Sequence, residues 1–219
     1  MIFRTTQALL AVIGALWLTG TATAQETFRG FTIDTSSVAG QSDLAAIISA
    51  THEQIDMVHA VGLPDEILAF LQKVEFKLVP AGTFKSPTPG RYTGRGRRRV
   101  EVSAGIVRVG HKPVLLHELL HAYHDQRLEG GFKNSAVLKL YENAKSIPAF
   151  AAKSHMMANV SEYFACTATT YLFGVTAQEP FSRQKLREQQ PDCPAFLKSI
   201  FGPDAGQYEG SLSRKLERR

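Results

Sequence analysis

The segment from His117 to His121, which reads His-Glu-Leu-Leu-His, combines two imidazoles and a carboxylate at a spacing that suits metal chemistry. On an α-helix, residues four positions apart lie one turn apart on one face, so both imidazoles can bind the same cation. Glu118 borders that face, where its carboxylate can take a proton from a water molecule that the metal polarises. The spacing predicts a hydrolytic zinc site with His117 and His121 as ligands and Glu118 as general base.

The residues around this segment predict a helix with one polar and one apolar side. The apolar side carries Leu115, Leu116, Leu119, Leu120, Ala122 and Tyr123. Pro113 favours a helix start, and Gly130 and Gly131 favour its end. His124 also lies on the polar side, but on a straight helix it is too far along the axis to complete a tetrahedral site. Arg127 stands where the HExxHxxGxxH pattern has its third histidine, so that pattern is absent.

A catalytic zinc needs a third protein ligand and one open position. The best candidate is Glu162, in the later segment Asn-Val-Ser-Glu-Tyr-Phe-Ala over residues 159–165. The apolar neighbours of Glu162 predict a largely buried helix, where a bound metal would compensate the carboxylate charge. Glu142 is the nearest competitor, but it lacks such surroundings.

At these two motifs the chain resembles the gluzincins, the thermolysin-like zinc metallopeptidases whose third ligand is a glutamate on a downstream helix. It is more closely similar to the catalytic domain of anthrax lethal factor and related bacterial peptidases, which carry an N-x-x-E-[FY]-F-A pattern. The resemblance spans about residues 75–175. It implies one Zn²⁺ per chain held by His117, His121 and Glu162, and a peptide or protein substrate. In the lethal-factor group a tyrosine seven residues before the glutamate stabilises the transition state; His155 stands at that position here, and the resemblance to thermolysin-like enzymes, which use a histidine, implies the same role for it.

The chain departs from the lethal-factor pattern at Cys166, where that group has a second acidic residue. The carboxylate that orients a zinc-binding histidine must therefore come from elsewhere, and Asp125 is one candidate.

The elements that position these residues predict an α+β, zincin-like fold: a small mixed sheet with an edge strand beside the motif helix, then a mainly helical C-terminal half. The alternation over residues 74–79 predicts a half-buried strand, and the Gly- and Arg-rich stretch over residues 80–99 predicts a surface loop or hairpin. Residues 100–102 or 106–109 are the candidates for the edge strand that binds substrate. Further helices are predicted over residues 135–145 and 159–172.

The first residues have the order of a secretory signal peptide, with Arg4, an apolar run from Ala8 to Leu18 and Ala22-Thr23-Ala24. We therefore expect cleavage after Ala24 and export to the periplasm or beyond the cell. The apolar run is shorter than the roughly 20 residues that span a bilayer, so no membrane span is expected after cleavage.

Residues 25–219 suit a single domain, with a loose tail from about residue 203. The chain contains two cysteines, Cys166 and Cys193, and an oxidising compartment permits one disulfide between them. The oligomeric state is open at this stage.

Two other functions stay open. An inactive zinc-fold binding module in the cell envelope would hold the metal without cutting, although a structural zinc has no use for Glu118. The formal net charge is +5, and the segment from Arg91 to Arg99 holds much of the excess. That segment could bind a polyanion, but a solvated loop is the simpler interpretation, and no specific nucleic-acid partner is predicted.

Overall fold

The computed structural model of the chain describes residues 24–85, 88–94 and 96–203. The strands in these ranges are β1 (Gln25–Phe28), β2 (Phe31–Asp34), β3 (Glu75–Val79), β4 (Gly90–Thr93) and β5 (Arg99–Ser103). They form one sheet in the order β1-β2-β3-β5-β4. The outer pairs are antiparallel, whereas β3 runs parallel to both of its neighbours, so the sheet is mixed.

The α-helices of the described ranges fall between β2 and β3 and, mostly, after β5. They are α1 (Leu44–Ala60), α2 (Asp65–Leu71), α3 (Val114–Arg127), α4 (Ser135–Ala144), α5 (Val160–Phe173), α6 (Arg183–Gln189) and α7 (Asp192–Phe201). The predicted α+β class, with a small mixed sheet and a mainly helical C-terminal half, is confirmed. The helices predicted over residues 135–145 and 159–172 correspond to α4 and α5.

The core lies between one face of the sheet and the helices. Alternate residues of the central strands are buried on that face, as the period of two requires: Phe31, Ile33, Phe76, Leu78, Val100 and Val102. Helix α3 packs on this layer and against α1 and α5. Helix α5 is buried from Tyr163 to Phe173, which confirms the predicted burial of that helix.

The edge strand beside α3 is β4, and both earlier candidates for it were wrong. Val100 and Val102 belong to β5, which is paired on both sides. Residues 104–108 form a 3₁₀ turn instead of a strand. Strand β4 forms a hairpin with β5, so the hairpin alternative for residues 80–99 is confirmed. Its four residues, Gly-Arg-Tyr-Thr, are held mainly by backbone pairing and carry little alternation of apolar and polar residues.

The predicted signal peptide and the predicted tail lie almost wholly outside the described residues. Strand β1 begins at Gln25, directly after the predicted cleavage position, and the backbone N–H of Thr35 donates to the Ala24 carbonyl. Among the helices of the described ranges, none combines the length and the apolar character that a membrane span requires.

Candidate metal centre

Helix α3 brings His117 and His121 together because they lie one turn apart on the same face. The Nε2 atoms of the two imidazoles are 3.2 Å apart. Both rings are shielded, with side-chain exposures of 15% for His117 and 8% for His121. The rings stand nearly perpendicular to each other, at 89°. Two nitrogen donors therefore converge on one point beside α3.

The first turn of α5 adds the carboxylate of Glu162 to this point. The Asn159 side chain caps the helix by accepting from the backbone N–H groups of Ser161 and Glu162, which fixes the start of α5. Glu162 Oε2 lies 3.2 Å from His117 Nε2 and 3.3 Å from His121 Nε2. Burial works to raise the pKa of Glu162, but its hydrogen bonds to His117, His121 and His155 outweigh burial and hold the pKa well below its usual range.

The spacing of these three donor atoms fits a tetrahedral zinc ion. Bonds of about 2.0–2.1 Å at the tetrahedral angle place two ligand atoms about 3.4 Å apart. The observed separations among His117 Nε2, His121 Nε2 and Glu162 Oε2 are 3.2, 3.2 and 3.3 Å. These three residues would therefore hold one zinc ion and leave its fourth position open.

A second set of donors overlaps with the first. One ligand atom from each of His117, His155, Glu162 and Cys166 lies within 4.8 Å of the others, which is looser than tetrahedral spacing. Burial raises the pKa of the Cys166 thiol far above its ordinary value, whereas the thiolate is the form that binds metal. The set that contains His121 is thus the better metal site.

Glu118 is buried beside the donors, with 7% of its surface exposed. Burial raises its pKa to about 7 and the Glu162 carboxylate acts in the same direction, whereas His117 and the backbone N–H of Tyr92, which faces the carboxylate, act in the opposite direction. A carboxyl group with a pKa near neutrality suits general acid–base chemistry.

His155 approaches the same carboxylate from the segment between α4 and α5. Its Nε2 lies 2.9 Å from Glu162 Oε2, and its ring centroid is 5.8 Å from that of His117. The hydrogen bond to Glu162 raises the pKa of His155, so the ring favours its protonated, donating form. About a third of the side chain is exposed, at 35%, and the ring lines the cleft.

Four residues of the site, His117, Glu118, His155 and Cys166, line a cleft of about 440 Å³ at the N-terminal ends of β4 and α3. The other walls come from the segments before these two elements, from α5, and from the loop that follows α5. The lining residues outside the donor sets and Glu118 are Thr88, Pro89, Gly90, Val109, Lys112, Pro113, Val114, Thr169, Thr176, Ala177, Gln178 and Glu179. The site is therefore a cleft with its polar centre at the base.

Two β4 residues complete the site, and the sequence analysis missed both. The Tyr92 hydroxyl donates to Asp125 Oδ2 at 2.7 Å, and its backbone N–H faces Glu118. A Cβ atom on Gly90 would lie 2.8 Å from the Glu118 Cγ atom and 2.9 Å from its Oε1 atom. The only sequence signal was the Gly in a predicted hairpin, which does not reveal what lies opposite.

Asp125 does not take the role suggested for it, because its partners are on β4 and the hairpin. Its Oδ2 accepts from Tyr92 and lies 4.0 Å from Arg98 Nε. Asp125 therefore fixes β4 against α3. His124 also has another setting: it is fully buried and packs against Phe132 and Phe164.

The predicted disulfide between Cys166 and Cys193 is not formed, since both residues are free and buried thiols. Cys166 lines the cleft, whereas Cys193 interacts with Tyr163 and Thr167. Adjacent positions on a helix point about 100° apart, so Cys166 and Thr167 face different neighbours. The prediction failed because spacing along the chain does not define these directions.

We expect Gly90→Ala to lower peptide hydrolysis by about 10–100-fold, because a displacement of about 1 Å at a catalytic group can have such an effect. The added methyl group must displace the buried Glu118 side chain, at a cost to stability of about 1–3 kcal/mol. Zinc content should stay unchanged, since the three atoms nearest the added methyl group belong to Glu118 and Val114 and not to a metal donor.

The matched control for this substitution is Gly40→Ala, because a Cβ atom at Gly40 would meet nothing within 4 Å. Kinetics and thermal unfolding of both variants, with zinc content, provide the measurement. Equal kinetics for Gly90→Ala and Gly40→Ala would contradict the close contact between β4 and Glu118.

No family model matches the chain, and no curated protein matches it either. Among solved structures, the chain is similar to the PRO-PRO endopeptidase PPEP-2 from Paenibacillus alvei, with 19% sequence identity and a TM-score of 0.48. That match covers 74% of this chain and 95% of the other. The side chains described above therefore carry the functional proposal on their own.

Proposed function

We propose that this chain is an exported zinc-dependent peptidase that hydrolyses peptide bonds. One observation carries the proposal: three donor atoms from His117, His121 and Glu162 lie 3.2–3.3 Å apart, beside a buried carboxylate. Two imidazoles with one carboxylate are a usual ligand set of catalytic zinc, whereas structural zinc sites are closed by a fourth protein ligand. The position of Glu118 suits catalysis, because a site that only holds metal needs no general base.

A bound zinc ion supplies Lewis acidity, which polarises a substrate carbonyl and lowers the pKa of a water molecule. Glu118 accepts the proton of the attacking water and then donates it to the leaving amine. Its burial and its pKa of about 7 suit both transfers. His155 lies beside the donor atoms, and its Nε2–H would stabilise the carbonyl oxygen that gains negative charge.

The backbone of β4 supports binding of an extended peptide. Strand β4 pairs only with β5 within the described sheet, so its second edge is open beside α3. The Tyr92 N–H points to Glu118, away from β5. Backbone directions alternate along a strand, so the N–H and C=O groups of Gly90 also lie on the open edge. A substrate added there as a strand would present its carbonyl to the metal centre.

Export is supported by the order of residues in the first 24 positions, which is that of a cleaved signal peptide. N-terminal sequencing of the protein recovered from the periplasm or the medium should begin at Gln25. Retention of Arg4 in the exported material would contradict this part of the proposal.

We expect the purified protein to contain about one zinc ion per chain. Removal of the metal with a chelator should abolish peptide hydrolysis. Added Zn²⁺ should restore hydrolysis, because all three proposed donors belong to this chain and remain in place without the metal. Loss of a residue that only hydrogen-bonds to a metal ligand lowers metal affinity by roughly 10–100-fold. Glu162→Ala removes a proposed ligand itself, so it should lower zinc affinity by more than that.

The matched control is Glu142→Ala, because Glu142 is an exposed residue of α4 that pairs with Lys145 at 2.7 Å. That variant should keep both its zinc and its activity. Metal analysis and titration with a zinc-binding dye test both variants. Full zinc occupancy in Glu162→Ala would remove Glu162 from the ligand set.

A further inference from the structure

We propose that the peptidase prefers substrates with acidic side chains, which it recognises through Arg97 and Arg98 on the hairpin between β4 and β5. The inference rests on the proposed function and names its substrate class. The Arg-rich segment from Arg91 to Arg99 has no function in the metal site described above. The hairpin follows β4 directly, so it lies at the far end of the strand whose first residue, Gly90, faces Glu118.

The arginines of this segment that the structure describes separate into two groups. Arg91 and Arg99 each contact Glu101 at 2.6 Å, and Arg99 also lies 3.6 Å from Glu75. These two arginines are thus neutralised on the sheet. The second group is Arg97 and Arg98.

Arg98 and Arg97 keep most of their charge available to a ligand. Arg98 is 62% exposed and reaches towards α3, where Asp125 Oδ2 is a distant partner at 4.0 Å. Arg97 is exposed and forms no ion pair among the residues that the structure describes. The hairpin therefore presents at least one uncompensated positive charge at the end of the proposed binding edge.

The remainder of the cleft does not oppose this charge. With zinc bound, the two carboxylates of Glu118 and Glu162 balance the charge of the ion. The Glu179 carboxylate is engaged by the Ala151 N–H at 3.0 Å and by Lys185 at 3.6 Å. The exposed Lys112 adds a cation to the cleft lining. A bound peptide would therefore lie in a positive potential.

The length of β4 locates the recognised side chain. An extended strand rises about 3.3 Å per residue, so Gly94 is about 13 Å from Gly90. A peptide paired along β4 would bring a side chain three to five residues from the scissile bond to the hairpin. Charges at that range act through solvent, so the preference should weaken as salt shortens the screening length from about 30 Å to about 8 Å.

The test compares matched peptides. A degenerate peptide mixture first identifies a cleaved sequence, which is then synthesised with Glu or with Gln at positions three to five residues from the bond, on each side in turn. In one of the two series, the Glu peptide should have a higher kcat/KM by about 5–10-fold at low ionic strength and by less than about 2-fold near physiological salt.

The variant R97Q/R98Q should remove the difference in kcat/KM between the Glu and the Gln peptides. The matched control, K139Q/K198Q, loses the same charge from exposed positions on α4 and α7, and it should keep the difference. Equal rates for Glu and Gln peptides in the wild type would overturn the proposal. Salt-dependent binding of heparin or nucleic acid that requires both arginines, together with equal cleavage rates for the Glu and Gln peptides, would also overturn the proposal. The hairpin would then be a binding site for polyanions.

Binding measurements separate this proposal from the proposed function. Fluorescence anisotropy of the same peptides on zinc-loaded protein reports recognition without cleavage. If the degenerate mixture yields no cleaved sequence, anisotropy is measured on the Glu and Gln versions of one arbitrary peptide, and acid-selective binding that depends on Arg97 and Arg98 would then support the hairpin and contradict the peptidase. Cleavage without charge selectivity would support the peptidase and contradict the hairpin.

Discussion

Glu118→Gln should abolish nearly all peptide hydrolysis, with a fall in kcat of about 10²–10⁴-fold, because general acid–base catalysis contributes that much. Glutamine keeps the shape of glutamate and can still contact the Tyr92 backbone, but it cannot accept the proton of the attacking water. The substitution removes a single function from a site whose donors stay in place.

Structure and metal content should be preserved in this variant. Glu118 is buried, and burial is the largest cause that raises its pKa, so a neutral amide of the same size places no extra charge in the interior. Zinc content and the thermal unfolding midpoint should match those of the wild type. Glu142→Gln on the surface of α4 provides the control for the chemical change itself.

Two results would change the interpretation. Unchanged hydrolysis by zinc-loaded Glu118→Gln would mean that another group accepts the proton. A zinc-loaded wild type without activity on any peptide mixture would favour the binding-module function, in which the metal supports recognition alone.

The sequence was sufficient for the parts of the site that depend on helix periodicity. The spacing of His117 and His121 places both side chains on one face of any α-helix. The Asn159 cap fixes the start of α5 and thereby the position of Glu162 in its first turn. The burial of α5 followed from its apolar run. These features are local, so one helix or one cap is enough to determine them.

The edge strand was not predictable in the same way. Strand β4 is four residues long, and Gly90 and Tyr92 matter through what lies opposite them on α3. Neither the close approach of Gly90 to Glu118 nor the hydrogen bond from Tyr92 to Asp125 leaves a pattern in the chain. Such contacts depend on tertiary packing, which also explains the error over Asp125.

Cys166 shows the same limit. The resemblance to lethal-factor peptidases marked its position as one where a carboxylate should stand, and the even number of cysteines suggested a disulfide. In the structure the Cys166 thiol lies beside the donors and its Sγ atom is 4.0 Å from Gln178 Oε1. The different neighbours of Cys166 and Cys193 follow from the orientation of α5 relative to α3 and α7, which only the tertiary structure shows.

Substitutions of His121 and His155 should have different effects, because each residue belongs to only one of the two overlapping donor sets. His121 belongs to the set with His117 and Glu162, and His155 belongs to the set that also contains Cys166. His121→Ala should lose zinc and, with it, all hydrolysis, since His121 Nε2 lies at tetrahedral spacing from both remaining donors. His155→Ala should keep about one zinc ion per chain and lower kcat by about 10²–10³-fold, which is the effect of removing one oxyanion donor.

Direct comparison of zinc content, kcat and KM in His121→Ala and His155→Ala provides the measurement. Because His155 is 35% exposed at the rim of the cleft, its removal leaves no buried cavity, and His155→Ala should fold. A mainly kcat effect in His155→Ala indicates a role in the transition state, whereas loss of zinc from that variant would favour the set that contains Cys166. Cys166→Ala then completes the comparison: full zinc occupancy supports His117, His121 and Glu162 as the ligands, and loss of zinc in both His155→Ala and Cys166→Ala contradicts that assignment.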